Sequence, residues 1–273
     1  MIRPAIIATL LSLFHLSVSA QRDTSFRLLK TMNIDVAELA VDHLDNLYIL
    51  TGSEQLKKYS AAGDSLAVFN NIRRFGKLHS FDVSNPLRPL LFYKDFSTVV
   101  LLDRQLSLRS TVDLRRQNIL QASAASTSYD NAIWIFDAIE NKLKKIRDNG
   151  ELVLETADFR TIFDASFVPE KIMEHENSVY LFAPSGMVLQ FDYYGTFQKK
   201  YELPGWQNMS LLNKNIAGVT KAGIALFNTG NLMMQQQYQF PSSFGSFDRY
   251  LISNNKIFAH TKDSINIYSF RFH

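Results

Sequence analysis

The sequence predicts an all-β fold, a six-bladed β-propeller of four-stranded antiparallel blades. Three observations carry this reading. Apolar triplets recur at spacings of 43, 43, 46, 37 and 41 residues along the 273-residue chain. Each triplet belongs to a group of short apolar runs separated by turn residues. One strand-like run is left over at the start of the chain, where the last group lacks a strand. A period near 40–45 residues with four strands per unit is the spacing of propeller blades, and a two-sheet sandwich has no such period.

The opening unit, residues 39–69, sets the plan. Its runs are 39–41, 47–50, 56–59 and 65–69, separated by Asp45-Asn46, Thr51-Gly52-Ser53 and Ala62-Gly63-Asp64. Such residues tolerate the tight or positive-φ backbone that short antiparallel connections require. The second strand repeats as Leu47-Tyr48-Ile49, Leu90-Leu91-Phe92, Ile133-Trp134-Ile135, Val179-Tyr180-Leu181, Ile216-Ala217-Gly218 and Ile257-Phe258-Ala259. The third falls at 56–59, 99–102, 143–146, 187–191, 224–227 and 265–268. A positive-φ turn is expected after it at Ala62-Gly63, Asn149-Gly150, Tyr194-Gly195 and Thr229-Gly230, whereas Asp103-Arg104-Gln105 lacks the glycine.

The fourth strand is expected at 65–69, 108–112, 152–155, 198–203 and 235–240. The sixth unit has none. The unassigned run 26–30 supplies it if it pairs beside 265–268, which closes the ring and removes the exposed sheet edges. Continuous apolar runs such as Val99-Val100-Leu101-Leu102 fit strands buried on both faces between neighbouring blades.

At the N terminus, Arg3 precedes a 12-residue apolar stretch and Val18-Ser19-Ala20 places small residues before Gln21. This predicts a cleaved leader over 1–20 and one propeller domain over 21–273, exported to the periplasm or an outer surface. No later run is long enough for a membrane-spanning helix. The chain has no cysteine, which excludes disulfides, thiolate metal sites, a cysteine nucleophile and a lipidated cysteine. The formal charge of +3, without any dense Lys/Arg run, gives no case for nucleic acid.

Val41-Asp42-x-x-x-Asn46-Leu47-Tyr48-Ile49, followed by Leu56-Lys57-Lys58-Tyr59-x-x-x-Gly63, resembles the repeat of NHL and TolB-like six-bladed propellers. Asn131-Ala132-Ile133-Trp134 with Gly150, and Asn177-Ser178-Val179-Tyr180 with Gly195, echo it, while the second and fifth units depart from it. The resemblance spans the mature chain and implies a ring used for binding, without naming a ligand. Its enzymatic relatives include calcium-dependent lactonases that set Glu, Asn and Asp around the channel. Glu38, Asp42 and Asp82 are the counterparts that a lactonase- or lyase-like reading would use here, although Leu39-Ala40 departs from that pattern.

No GxSxG, GxGxxG, P-loop or paired-histidine spacing occurs, so no catalytic or metal-ligating set and no cofactor is expected. The connections between blades all emerge on one face of a propeller, and here they carry basic and aromatic residues. Arg73, Arg74, Arg115, Arg116, Phe159, Arg160 and Trp206 are the candidate binding residues. The loops holding Tyr93-Lys94-Asp95-Phe96 and His260-Thr261-Lys262 lie on that face too. The expected function is a non-enzymatic scaffold engaging an envelope protein or peptide. A glycan-binding propeller using Trp206 is a further alternative.

Overall fold

The computed structural model describes residues 26–70, 72–163, 167–241, 244–253 and 255–270. The expected leader lies outside them. The first blade is β2 (Glu38–Val41), β3 (Leu47–Leu50), β4 (Leu56–Tyr59) and β5 (Ser65–Phe69). The second is β6 (Ser80–Asp82), β7 (Leu90–Tyr93), β8 (Thr98–Leu102) and β9 (Leu108–Asp113). The third is β10 (Ala122–Thr127), β11 (Ile133–Asp137), β12 (Lys142–Ile146) and β13 (Leu152–Glu155). The fourth is β14 (Lys171–His175), β15 (Ser178–Phe182), β16 (Met187–Asp192) and β17 (Phe197–Glu202). The fifth is β18 (Gln207–Leu212), β19 (Asn215–Thr220), β20 (Gly223–Asn228) and β21 (Met233–Gln239). The sixth is β22 (Arg249–Ile252), β23 (Lys256–His260) and β24 (Ser264–Ser269), completed by β1 (Arg27–Asn33).

These are six four-stranded antiparallel sheets, and the protein is a six-bladed β-propeller. The N-terminal strand closes the ring, with Arg27 opposite Ser269 and Asn33 opposite Ser264. It runs three residues further than the sequence reading placed it. No helix among the described residues is long and apolar enough to cross a membrane.

The core is divided between the blades because each strand sends alternate side chains to opposite neighbours. Ile133 and Ile135 pack toward the second blade with Leu90 and Phe92. Trp134 and Phe136 pack toward the fourth with Val179 and Leu181. Six apolar clusters fill the six interfaces, and the last joins Leu47 and Ile49 to Phe258 and Ile265. This two-sided burial is why the middle strands are continuously apolar.

Two turns differ from expectation. In the second blade Leu106 takes the left-handed position at φ 60°, where the first blade has Gly63. Its buried side chain offsets the backbone cost, which is of order 1–3 kcal/mol for a non-glycine residue. In the fifth, the left-handed residue is Leu232 (φ 59°) and not Gly230.

Polar latches join the inner ends of the blades. Asp82 accepts from Ser126 Oγ at 2.9 Å and from the Thr127 amide at 2.7 Å. Glu174 accepts from Ser128 Oγ at 2.7 Å, the Tyr129 amide at 2.8 Å and Trp134 Nε1 at 2.6 Å. Lys256 pairs with Asp45 at 2.6 Å, and Arg249 with Glu38, across the closing interface.

Candidate binding face

A connection leaves each outer strand and enters the next inner strand at the end where the second and third strands also turn. Both loop types therefore share one face. Three of these connections are short helical segments: a 3-10 turn at Ile72–Phe75, another at Leu114–Gln117, and α1 (Phe159–Phe163).

The last two are built alike. Asp113 Oδ1 accepts the Arg115 amide and its Nε, both at 3.1 Å. Asp158 Oδ1 accepts the Arg160 amide and its Nε, both at 2.9 Å. Between each pair the apolar residue, Leu114 or Phe159, is fully buried and anchors the segment. An Asp–apolar–Arg triplet thus caps its own turn and fixes a guanidinium at the rim. Asn71-Ile72-Arg73, in the connection between the first and second blades, has a related sequence with Asn in place of Asp. Arg115 holds the Asp113 carboxyl, and Arg160 the Asp158 carboxyl, below the ordinary range, chiefly through these hydrogen bonds.

The candidate residues divide into two groups. Arg74, Arg115, Arg116 and Arg160 are exposed on this face, Arg116 with 83% of its side chain. Arg74 lies 5.4 Å from the Phe75 ring centroid. The Arg73 side chain lies outside the described ones. Phe159 and Trp206 require correction. Phe159 stacks on Phe191 at 5.1 Å inside the interface between the third and fourth blades. Trp206 is 7% exposed and lies over Gly218, where any Cβ would stand 2.6 Å from its ring. Both are packing residues. Trp206 presents no ring face to a sugar, so the glycan alternative loses its platform.

Phe96, in a loop the sequence already places on this face but outside the candidate set, is 49% exposed in the turn between β7 and β8. It rests on Gly76, whose φ of 90° and missing Cβ admit the ring. The available signal was that Leu90–Tyr93 and Thr98–Leu102 already supply both interfaces of that blade. An aromatic in the turn between them has no interface left to fill.

Toward the axis, a cleft of about 500 Å³ opens between the first and second blades. Glu38, Lys77, His79, Asp95 and Arg249 bring charge and hydrogen-bonding capacity to it, and Leu50, Leu78 and Phe81 supply apolar walls. His79 lies edge-on to Phe92 at 5.7 Å, and partial burial, with Lys94, pushes its imidazole below the ordinary value. Lys171 opens to the channel and donates to the Met209 carbonyl at 3.0 Å. Desolvation holds its ammonium below the usual lysine range, opposed by Asp82 and Glu38.

Glu38, Asp42 and Asp82 do not converge. Glu38 begins β2, Asp42 lies beyond its end, and Asp82 ends β6. Asp42 accepts from the Leu44 and Asn46 amides at 2.9 Å and from Asn46 Nδ2 at 2.8 Å. Asp82 is the blade latch described above. Among the described residues no three His, Asp or Glu side chains gather as a metal-ligand set.

Comparison with known proteins places the fold. No family model and no curated protein matches the chain. Among solved structures, it resembles virginiamycin B lyase from Staphylococcus aureus at 11% identity and TM-score 0.61, over 90% of this chain and 100% of that one. It also resembles the WD40 domain of Neurospora crassa Pan2 at 12% identity and TM-score 0.63, over 91% and 96%. A third is the β-propeller domain of Myceliophteria thermophila Cps50 (Swd1), at 10% identity and TM-score 0.60, over 90% and 100%. The propeller fold is thus shared with a lyase, a WD40 domain and a further β-propeller domain alike, and these similarities establish architecture alone.

Proposed function

We propose that this chain is an exported binding or scaffold propeller of the cell envelope, holding a protein or peptide partner on the face of the blade connections. The observation that carries the reading is the repeated Asp–apolar–Arg clamp at Asp113–Arg115 and Asp158–Arg160. It fixes guanidiniums at an exposed rim on a closed, rigid ring, so little side-chain freedom remains to be lost on binding. The channel acids, by contrast, are spent within the protein.

Mild crosslinking in the native envelope, followed by mass spectrometry, tests this. One stoichiometric partner is expected with the unaltered chain, and its recovery should fall when Arg74, Arg115, Arg116 and Arg160 are all replaced by Ala. Equal recovery from both would remove the loop face from the account.

The cleft supports a second reading, a small-molecule site at the channel mouth, because its volume and mixed lining suit such a ligand. Screening metabolites by thermal shift, with His79→Ala as control, separates the two. A stabilising compound whose effect vanishes in that variant would favour the cleft.

A further inference from the structure

Resting on the binding-propeller reading, we propose that the partner segment is an acidic peptide stretch with one apolar anchor, and that the second-blade sector of the loop face receives it. The sector is one continuous platform. Phe96 sits on Gly76, directly after the 3-10 turn carrying Arg74. The next residue, Ser97, accepts the Leu114 amide at 2.8 Å and so ties the same loop to the turn carrying Arg115 and Arg116. Ser97 Oγ donates to the Leu120 carbonyl at 2.8 Å, which brings exposed Leu120 beside it.

Charge decides the chemistry of the occupant. Arg74, Lys77, Lys94, Arg115 and Arg116 stand against Asp95, Asp113 and, toward the first blade, Glu54 beside Tyr93; Glu38 in the adjoining cleft is paired with Arg249, and Asp113 is already shared by both of its arginines at 3.1 and 3.9 Å. An excess of cations around an exposed aromatic matches acidic residues flanking an apolar side chain. The fourth and sixth sectors lack this field. The fourth-blade turn of Ala183, Pro184, Ser185 and Gly186 bears no charge, and Lys262 is balanced by Asp263 in the sixth.

The test is fluorescence anisotropy with the 21–273 chain and a fluorescein-labelled peptide in which Asp and Glu flank a single Leu. Binding should weaken steeply with added salt, and about tenfold in Arg74→Glu/Arg116→Glu, whose side chains hold no latch. Phe96→Ala, or Ser for Leu in the peptide, should each cost about tenfold while leaving the salt dependence intact. Equal binding of a Lys/Arg version of the peptide would overturn the proposal, as would no binding of the acidic one. Equal competition by heparin or a single-stranded oligonucleotide would also overturn it, by showing a general polyanion surface. If native partner capture still depends on the four arginines while the peptide fails, this inference falls and the binding reading stands. If both fail, both fall.

Discussion

The indole N–H of Trp134 donates to the Glu174 carboxylate at 2.6 Å, from the third blade to the fourth. The same carboxylate takes the Ser128 hydroxyl and the Tyr129 amide, so one side chain secures three donors of the neighbouring blade. Removing it leaves a fully buried indole N–H without its acceptor. Glu174→Ala is therefore expected to cost about 2–3 kcal/mol. Glu174→Gln, which keeps an amide oxygen, should cost less. Urea midpoints measure both, and coincident midpoints for all three proteins would show that the latch carries no stability.

Gly218 admits the ring of Trp206 at a distance no side chain could share. Gly218→Ala should displace the indole and destabilise the fifth blade by about 1–3 kcal/mol. The chain has two tryptophans, both buried, so a red-shifted emission in this variant reports the move directly.

Pairing of β1 with β24 makes the sixth blade dependent on both ends of the chain. Deleting residues 1–33 should leave β24 as an unpaired edge and drive association, whereas deleting 1–25 should not. Light scattering separates the two deletions. Adding a synthetic peptide of residues 26–34 should return the longer deletion to a monomer-sized species.

His260 is 4% exposed, and burial holds its imidazole below the ordinary 6.5, with Glu38, Arg249 and Asp248 as the charges around it. The folded state thus binds its proton less readily than the unfolded chain does. Its contribution to stability is full above about pH 6.5 and is lost as pH falls toward the depressed folded value. His260→Phe should flatten this part of the stability–pH curve. An unchanged slope would assign the effect to other groups, of which His79 is the first to replace.

The ring was legible in the sequence because its causes are local and repeat. Polar turn residues, the two-sided apolar runs and the missing sixth outer strand each leave a mark within a single unit. The arginines were legible by position, since a connection between blades has to emerge on the loop face. Phe159 and Trp206 were not, because an aromatic in such a connection can turn outward or into the adjoining interface. Burial of Phe159 depends on Phe191, and that of Trp206 on Gly218 having no side chain. The roles of Asp82 and Glu174 were equally hidden. Their partners lie 40–46 residues away, in the neighbouring blade, where no local pattern marks them.

Ser269 Oγ donates to the Arg27 carbonyl across a separation of 242 residues. At the roughly 5–20 residues per second of protein synthesis, the first strand made waits about 10–50 s for the strand it pairs with. Until then its edge stays open, and an interrupted chain never acquires the seal. The ring therefore acts as a completeness check: only a polypeptide made through β24 can pair β1 and leave the sixth sheet four-stranded.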